Sequence, residues 1–385
     1  MFVIVEAKAL ARAMKIANAV TKPRNTIPIL STVKLSYSSA GLTVEATDLD
    51  IAVKIAVDEV DGRGEFSTCI NARYLAAIVA AAGVAPMRIE PKTMKIPKGS
   101  GPADNGEFYE RDGAAIEHGY ASYEIETLPA SDWPDLEGDR AGRIERFTNG
   151  MFTAMLRKVA FCVSTEETRY YLNGVAWQAR QDGKRFVATD GHRLALCRYD
   201  EEGGDGITRI IPRKTVNFLI SHLDRLDIDV HQIVKGNAPA DHLIDFIAPG
   251  LEVRSKLIDG SYPDIDRVVP KDSAHAFKLN RGEILDAIKQ AQAVSSERGR
   301  AVRFHELEGR LHVESKNPDF GSAKVKTSTA WPEGAPSFGM NGRYMRELIE
   351  SCQGEVTLGM TDGGSPFLIK DDDKDMTRVC MPMRV

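Results

Sequence analysis

Cysteines and long apolar runs are both scarce in this sequence. Its five cysteines are scattered along 385 residues, without a Cys-x-x-Cys pair. We therefore expect no metal site, and reduced thiols of a cytosolic protein are the plain interpretation. Nowhere do 18 uncharged apolar residues follow one another, so no membrane-spanning helix is expected. The sequence predicts a cytoplasmic protein without a membrane partner.

Signature motifs of common enzymes are missing as well. The eight histidines show neither His-Glu-x-x-His nor His-x-x-x-His spacing, and no G-x-x-x-x-G-K-[ST] loop for nucleotide phosphates occurs. The acidic run DDDKD at 371–375 has the composition of a metal site. Consecutive carboxylates point in different directions, however, so we expect a solvated hairpin turn there. No cofactor is expected.

The composition is that of an ordinary globular protein. Hydrophobic residues make up 43% and charged residues 27% of the chain, which argues against disorder. Fifty basic and 55 acidic residues give a net charge of -5. This balance argues against a protein that coats DNA with its whole surface, but it leaves room for one basic face. The length predicts two or three domains.

Three segments share one helical pattern, with apolar residues every three or four positions as on a helix with one buried face. The segments are EAKALARAMKIANAVTKPR, NGMFTAMLRKVAFCVSTEETR and NRGEILDAIKQAQAVSSERGR, which end at Arg24, Arg169 and Arg300. Each is followed by alternating β-branched and aromatic residues that predict strands.

A second series of segments repeats at a similar spacing: INARYLAAIVAAAG, IPRKTVNFLISHLDR and MNGRYMRELIESCQG. Each places an arginine before an apolar helix, at Arg73, Arg213 and Arg343. Asn71 and Asn341 are expected N-caps, and Pro212 is expected in a first helical turn. These arginines are 140 and 130 residues apart, and those ending the first helices are 145 and 131 apart. Both markers indicate a repeat of domain size.

We therefore predict three copies of one α+β unit, each running strand–helix–strands–helix–strands. Turn-rich stretches predict domain boundaries that give 1–140, 141–270 and 271–385. The first copy is the longest because it contains an insertion at about 91–118. The Pro, Gly, Lys and Asp content of this insertion predicts a mobile hairpin or loop.

Basic residues recur on the predicted polar sides of the helices. They are Arg12, Lys15, Lys22, Arg157, Lys158, Lys289, Arg298 and Arg300 in the first series, and Arg73, Arg213, Lys214, Arg225, Arg343 and Arg346 in the second. If the helices face a common axis, an acidic protein gains a basic inner wall that attracts phosphates without reading bases. The alternative is an ordinary solvated face. A repeat of about 130 residues is too long for a solenoid, so independent globular copies fit better.

Several motifs, in order along the whole chain, resemble one family. They are TIPIL, ETLPASDWPDL, RYYLNGV, ATDGHRLALC, IIPRKTV, SKLIDGSYPDIDRVVP and MPMRV. The family is the bacterial DNA polymerase III beta subunit, the β sliding clamp. The resemblance implies an α+β fold of three repeated DNA-clamp domains, each with two helices packed on antiparallel sheet, and a ring-forming head-to-tail dimer around duplex DNA.

The implied function is a non-catalytic processivity factor that tethers the replicative DNA polymerase. The implied partners are double-stranded DNA without sequence preference, a second copy, an ATP-driven clamp loader, the polymerase and other proteins with clamp-binding motifs. The implied location is cytoplasmic, at the nucleoid. A clamp paralogue specialised for repair or for replication of a mobile element is the alternative.

The resemblance also implies site residues. A hydrophobic pocket for partner peptides corresponds to Leu172, Thr189, Gly191, His192, Arg193, Leu194, Pro263, Arg267, Val268, Tyr344, Val379, Met381, Pro382, Met383 and Arg384. DNA contacts are expected from Arg24, Arg73, Tyr170, Tyr171, Arg213 and Arg343. The dimer interface is expected at an edge strand carrying Tyr123 and Ile125, opposite Ala293 and Val294 of the other copy.

Asp190 and His192 invite a second interpretation, since they lie two residues apart in the manner of a catalytic pair. Catalysis needs a nucleophile and an orienting group, which neighbours in sequence do not guarantee. We expect Asp190 to form a turn, and His192 and Arg193 to supply polar contacts at the pocket rim.

Three departures from the family pattern stand out. Glu166 and Glu167 are expected to repel DNA where the family binds it. Gly363, Gly364 and Pro366 replace larger side chains, so the pocket is expected to be shallower or wider. Small side chains at Ala293 and Val294 are expected to weaken the dimer, with the 91–118 insertion as compensation.

Overall fold

The computed structural model describes residues 1–22, 25–97, 108–134, 136, 138–200, 202–236, 238–295 and 301–384. Its six α-helices are α1 (Ala7–Asn18), α2 (Ala72–Ala82), α3 (Met151–Val159), α4 (Arg213–His222), α5 (Arg281–Gln292) and α6 (Gly342–Glu350). No helix within these ranges combines the length and the apolar character needed to cross a membrane.

The strands divide into three groups along the chain. The first group is β1 (Phe2–Glu6), β2 (Thr32–Ser38), β3 (Gly41–Thr47), β4 (Ile51–Val57), β5 (Glu59–Arg63), β6 (Phe66–Asn71), β7 (Pro86–Pro97), β8 (Phe108–His118) and β9 (Ala121–Leu128). The second is β10 (Asp139–Phe147), β11 (Gly174–Arg180), β12 (Gly183–Thr189), β13 (Arg193–Asp200), β14 (Thr208–Pro212), β15 (Ile228–Lys235), β16 (Ala238–Ala248) and β17 (Leu251–Lys256). The third is β18 (His275–Leu279), β19 (Ala301–Leu307), β20 (Arg310–Asn317), β21 (Gly321–Ala330), β22 (Phe338–Asn341), β23 (Val356–Met360), β24 (Phe367–Lys370) and β25 (Met376–Cys380).

The predicted threefold repeat is present in the order of the elements. Each copy runs strand, helix, a block of strands, helix and three strands: β1–β9 with α1 and α2, β10–β17 with α3 and α4, and β18–β25 with α5 and α6. Copy 1 has one additional strand, β5, in its middle block. We call these groups copy 1, copy 2 and copy 3.

The helices bury the faces that the periodicity predicts. Leu10, Met14 and Ala17 of α1 are buried, as are Ile284 and Ile288 of α5. The Asn71 and Asn341 side chains cap α2 and α6, because each accepts the backbone N–H groups two and three residues on. The expectation for Pro212 was wrong: it ends β14, and α4 begins one residue later.

Three antiparallel sheets hold the strands. A 13-stranded sheet has the order β10-β15-β16-β17-β4-β3-β2-β6-β9-β8-β7-β1-β5, an 8-stranded sheet has the order β14-β11-β12-β13-β25-β24-β23-β18, and a 4-stranded sheet has the order β21-β20-β19-β22. The chain divides into two compact units. Unit 1 is Met1–Phe152 with Ser221–Leu257, and unit 2 is Thr153–Ile220 with Ile258–Val385. The first sheet lies in unit 1 and the other two lie in unit 2.

Two ladders join strands of different copies. In unit 1, β17 of copy 2 pairs with β4 of copy 1, from Leu251↔Ile55 to Ser255↔Ile51. In unit 2, β13 of copy 2 pairs with β25 of copy 3, from Arg193↔Cys380 to Cys197↔Met376. The second ladder brings the β12–β13 turn beside the chain's last residues, and the candidate site lies there.

The region of the predicted insertion contains a long hairpin in its described part. β7 and β8 pair from Arg88↔Glu117 to Pro97↔Phe108, so both arms are strands. Residues 98–107 of the insertion lie outside the described residues. The strand β10 begins at Asp139, just before the predicted boundary at 140, and pairs with β15 of the same copy.

Candidate functional site

The turn between β12 and β13 is built by backbone hydrogen bonds to its own side chains. One Asp190 oxygen, Oδ1, accepts the N–H groups of His192 at 2.9 Å and Arg193 at 3.0 Å. The Thr189 hydroxyl donates to the Arg193 carbonyl at 2.7 Å and accepts the Gly191 N–H at 3.1 Å. Gly191 has φ +87°, a value that favours glycine. Asp190 therefore forms the turn, as predicted, and its carboxylate is occupied by the fold.

Arg193 is a buried structural side chain, which corrects its prediction as a rim contact. It is 6% exposed. Its guanidinium donates to Asp190 at 3.1 Å, to the Phe161 carbonyl at 2.7 Å and to the Glu347 carboxylate. It also lies 4.6 Å above the ring of Tyr344. The guanidinium thus fastens the β12–β13 turn of copy 2 to α6 of copy 3.

Glu347 is shared between two arginines. Its other carboxylate oxygen accepts Nε of Arg343 at 2.7 Å. Burial alone raises the pKa of Glu347, but the hydrogen bonds from Arg343 and Arg193 outweigh it and lower the pKa from its ordinary value. A charged carboxylate between two guanidinium groups is therefore the stable state at neutral pH.

An apolar cavity of about 270 Å³ opens beside this turn. Nine of the predicted pocket residues line it: Leu172, Thr189, Gly191, Arg193, Leu194, Pro263, Val268, Val379 and Met381. They come from four places in the chain: the short helix Glu167–Leu172, the β12–β13 turn, the segment around Ile265–Arg267, and β25 with the residue that follows it. A cluster of fully packed side chains that includes Leu196, Ile265 and Leu368 lies against it. Aliphatic walls with a few polar groups suit an apolar peptide side chain.

Four further residues line this cavity and were not predicted as pocket residues: Arg169, Tyr171, Asp264 and Ile265. Tyr171 was assigned to DNA; the structure puts it in the short helix, half-buried, rather than in a strand. Arg169 makes a bidentate ion pair with Glu166 at 2.6 and 3.0 Å. All four lie inside two of the recognised motifs, RYYLNGV and SKLIDGSYPDIDRVVP, and that was the signal available in the sequence.

The remaining predicted pocket residues lie around the cavity or beyond it. His192 is exposed and stacks on Tyr344, with ring centroids 6.0 Å apart. Arg267 is 84% exposed and pairs with Asp264 at 3.0 Å. Pro382, Met383 and Arg384 line a second cavity, of about 550 Å³.

The glycines expected to alter the pocket belong to this second cavity. Gly363 and Gly364 line it together with Arg303, Ser337, Phe338 and Gly339, and neither lines the apolar cavity. Pro366 lines neither of the two. Gly363 and Gly364 therefore border the part of the predicted pocket that Pro382, Met383 and Arg384 form, and the effect of the three substitutions on the pocket's shape stays a prediction.

The predicted DNA contacts occupy equivalent positions in the three copies. Arg73, Arg213 and Arg343 are all exposed at the beginnings of α2, α4 and α6. Tyr170 is 54% exposed. Arg24 lies outside the described residues, as do Arg298 and Arg300. Lys158 was expected on the basic face, but it pairs with Asp373 at 2.6 Å.

The predicted interface residues lie at an edge. β9 pairs with β8 along its length and with β6 only at Thr127 and Leu128, which leaves residues 121–126 open on one side. Tyr123 and Ile125 are half-buried on one face of this stretch, and Tyr123 stacks on His118. Ala293 is exposed and Val294 is half-buried, just past the end of α5.

The acidic run after β24 is a turn, but its side chains are not all solvated as predicted. Asp371 is buried and pairs with the buried Arg378 at 3.1 Å. Asp373 is held by Lys158, and the Asp371 and Asp373 oxygens also accept backbone N–H groups of the turn. Within the described ranges no group of three or more His, Cys, Asp or Glu side chains could hold a metal ion.

Comparison with known proteins agrees with this architecture. Models of the DNA polymerase III beta subunit match in order: the N-terminal domain at residues 1–98, the central domain at 147–264 and the C-terminal domain at 266–384. A beta sliding clamp of Caulobacter vibrioides is 32% identical over 401 residues, covering 99% of both chains.

Solved structures give the same answer. The C. crescentus beta sliding clamp has a TM-score of 0.85 at 29% identity, covering 100% of this chain and 99% of that chain. The sliding clamp of Bartonella birtlesii, bound to griselimycin, has a TM-score of 0.85 at 28% identity, covering 100% of both.

The three repeats and the cavity beside the last strand define a protein of the DNA-clamp class with three clamp domains. The chain belongs to the DNA polymerase III beta subunit family, the bacterial β sliding clamps. It is a DNA sliding clamp of DNA replication, and a specialised paralogue is not favoured by these comparisons. The family is one of processivity factors.

Proposed function

We propose that this chain forms a head-to-tail homodimer that closes into a ring around duplex DNA and tethers the replicative polymerase. The match of all three clamp domains in order, over nearly the whole chain, carries the proposal. In it the protein is a non-catalytic component of the polymerase holoenzyme, acts in the cytoplasm at the nucleoid, and is opened by a clamp loader. The domains are those predicted, at 1–140, 141–270 and 271–385.

In this proposal the exposed arginines at the beginnings of α2, α4 and α6 contact phosphates. Arg24, Tyr170 and Tyr171 are the further proposed DNA contacts. The equivalent placement of the exposed arginines in three copies supports a role shared by all three. Phosphate contacts by arginine position a protein on DNA without selecting a sequence. The apolar cavity binds short peptide segments of the polymerase, the loader and other partners, with all fifteen predicted residues in or around the binding surface.

The test of the ring is topological retention. The protein is loaded on nicked circular DNA by the host clamp loader and ATP, and the DNA is separated from free protein by gel filtration. We expect the clamp to remain with circular DNA and to leave after a restriction enzyme linearises it. Equal retention on both forms would indicate ordinary phosphate binding and would contradict the ring.

The dimer contact has support in two open strand edges with opposite charge. On β9 the outward side chains include Glu124 and Glu126, which alternate with the half-buried Tyr123 and Ile125. β21, the edge strand of the 4-stranded sheet, carries exposed Lys324 and Lys326. We propose that β9 of one subunit pairs with β21 of the other subunit, near Ala293 and Val294.

Ion pairs that these side chains form within one subunit do not prevent the pairing between subunits. Glu124 pairs with Lys92, Glu126 with Arg111 at 2.8 Å, and Lys326 with Glu308 at 2.8 Å. Exposed pairs of this kind contribute about 0–1 kcal/mol each, so exchanging partners costs little. Backbone hydrogen bonds between the two open edges provide the remaining attraction.

A charge exchange tests this arrangement. Light scattering should give a mass near twice 42.3 kDa for the wild type. The double variants E124K/E126K and K324E/K326E should each shift towards monomer, because like charges then face each other at both contacts. Mixing the two should restore a dimer, since both contacts become complementary again. Two variants that stay dimeric alone, or stay monomeric when mixed, would rule out the pairing.

A further inference from the structure

The β3–β4 turn of copy 1 contains the same hydrogen bonds as the β12–β13 turn beside the apolar cavity. The Thr47 hydroxyl donates to the Ile51 carbonyl at 3.0 Å and accepts the Leu49 N–H at 3.1 Å. One Asp48 oxygen, Oδ1, accepts the N–H groups of Asp50 at 3.2 Å and Ile51 at 3.1 Å. Each of these four bonds joins the same two positions of the turn in copy 2. The two turns are therefore one local structure that occurs twice in the chain.

The chain around each turn is also arranged in the same way. β4 pairs with β17 after the first turn, as β13 pairs with β25 after the second. At the end of β17 the Lys256 N–H donates to the Asp50 carbonyl at 2.9 Å. Just past the end of β25 the Met381 N–H donates to the His192 carbonyl at 2.8 Å. The junction of copies 1 and 2, in unit 1, thus has the framework of the junction that carries the apolar cavity.

The two turns differ in the residue at their centre. Gly191 has φ +87° and lines the apolar cavity, whereas the corresponding Leu49 has φ +76°. Leucine rarely adopts this left-handed backbone conformation, so surrounding contacts must hold it there. The Leu49 side chain is half-buried and packs against a cluster that includes the buried Ile29 and Leu30. Trp133 packs against the same cluster, and together these contacts keep Leu49 in place.

The surroundings of Leu49 correspond to the walls of the apolar cavity. Leu30 lies two residues before β2, as Leu172 lies two residues before β11, and Leu172 lines the apolar cavity. A Cβ added at Gly191 would lie 2.4 Å from a guanidinium nitrogen of Arg169, which lines that cavity too. A side chain at position 191 would therefore enter the apolar cavity, and the Leu49 side chain fills the corresponding space in copy 1.

We propose that the junction of copies 1 and 2 is a second apolar peptide site, closed in this protein by the side chain of Leu49. Leu49 takes the place of the aliphatic or aromatic side chain that a bound peptide would supply, and its removal opens the site to a peptide of that class. This inference rests on the proposed function of the apolar cavity. Each subunit then offers one peptide site, although its fold contains the framework of two.

One wall of the closed site is basic rather than apolar. Arg254 and Lys256 lie on β17, two residues apart. The corresponding residues beside the apolar cavity, Val379 and Met381, are apolar. Asp245 holds the Arg254 guanidinium by hydrogen bonds of 2.8 and 2.9 Å, so this side chain does not move into space that Leu49 leaves. We therefore expect the opened site to bind an apolar peptide more weakly than the apolar cavity does.

Two reciprocal substitutions test the inference, with binding followed by fluorescence polarisation. The probe is a fluorescein-labelled peptide of Gly and Ser that carries one Leu-Phe pair. G191L should close the apolar cavity and weaken binding about a hundredfold, because the apolar pair loses its burial. The turn of copy 1 shows that leucine is accepted at this position. L49G/G191L should then bind the probe about tenfold more tightly than G191L, through the opened site.

Two further variants control for general effects of the substitutions. L307G/G191L removes a leucine that is 40% exposed at the end of β19, away from the junction, and should bind no better than G191L. L49A/G191L vacates most of the same space as L49G/G191L and should recover part of the binding. Urea unfolding establishes which variants are folded, and L49A/G191L replaces L49G/G191L in the test if the glycine variant is unfolded.

A folded L49G/G191L protein that binds no better than G191L would overturn the inference and leave the function of the apolar cavity intact. Equal recovery in L307G/G191L would also overturn it, because the gain would then follow from the loss of any leucine. Wild-type binding that persists in G191L would contradict the equivalence of the two turns. Failure of the wild type to bind the probe would contradict the proposed peptide site itself.

Discussion

Single residues at the β12–β13 turn shape the site by holding backbone, although their order in the sequence is that of a catalytic pair. The side-chain oxygens of Asp190 and Thr189 form hydrogen bonds within the turn itself. The guanidinium of Arg193 already contacts four groups: Asp190, Glu347, the Phe161 carbonyl and the Tyr344 ring. The cavity wall is therefore only as well defined as this turn. The same side chains that invite an enzymatic interpretation position the apolar surface.

The change Asp190→Ala tests the role of this carboxylate. The change removes two backbone hydrogen bonds and the ion pair with Arg193, so we expect the free energy of unfolding to fall by about 1–3 kcal/mol. We also expect weaker binding of a fluorescein-labelled peptide that carries a Leu-Phe pair for the apolar cavity. Asp190→Asn retains an acceptor and should cost less. Urea unfolding and polarisation measure the two effects. An Asn variant as damaged as the Ala variant would mean that charge, and not the turn, is what matters.

At the scale of elements, α6 and the β12–β13 turn are connected through Glu347. The carboxylate receives Arg193 from the turn and Arg343 from its own helix. It thus links a residue that lines the apolar cavity to a proposed DNA contact. The α6 N-terminus is held on the turn by charge, in addition to the β13–β25 ladder.

This connection should depend on pH. The folded-state pKa of Glu347 lies below its ordinary value of 4.5. Its stabilising contribution is therefore complete above pH 4.5 and is lost as the pH falls through the lowered value. The difference in stability between wild type and Glu347→Gln should accordingly shrink between pH 7 and pH 3, as measured by urea unfolding. Glu350→Gln, at an exposed pair with Arg346, is the control and should show little difference at any pH.

The sequence predicted the helices better than it predicted which side chains lie next to one another in the fold. The apolar spacing of α1, α3 and α5, and the asparagine caps of α2 and α6, are local signals, and all five helices were found where they indicated. Lining residues such as Arg169 and Asp264 could not be identified in this way, because they lie in two short segments, distant in sequence, that only the folded chain brings together. The same holds for Asp371 and Arg378: composition indicates a solvated turn, whereas the fold buries both charges as a pair.

At the scale of the whole molecule, all five cysteines share one environment. Cys69, Cys162, Cys197, Cys352 and Cys380 are all buried and free of disulfides. Burial raises the pKa of Cys69, Cys197 and Cys352 to about 11 and that of Cys380 to about 12, and it raises the pKa of Cys162 as well. The thiols are protonated and enclosed at neutral pH.

We therefore expect no thiol of the native protein to react with Ellman's reagent at pH 8 on a timescale of minutes. All five should react once the protein is unfolded in guanidinium chloride, because the thiolate is the reactive form and the pKa values then return to normal. One fast-reacting thiol in the native state would show that a cysteine-bearing segment opens locally.

The two ladders between copies have a consequence for how such a gene can be recombined. Copy 2 completes no sheet by itself: β10 and β15–β17 extend a sheet of copy 1, and β11–β14 extend a sheet with copy 3. In a chimera that exchanges the whole middle repeat, both pairings between copies, β17 with β4 and β13 with β25, would join strands from different parent proteins. A single breakpoint between β14 and β15 is no better, because it separates β4 from β17 and β13 from β25 and so makes both pairings foreign. A breakpoint at either end of the middle repeat leaves one of the two pairings native. The three repeats are therefore best inherited together, as one module.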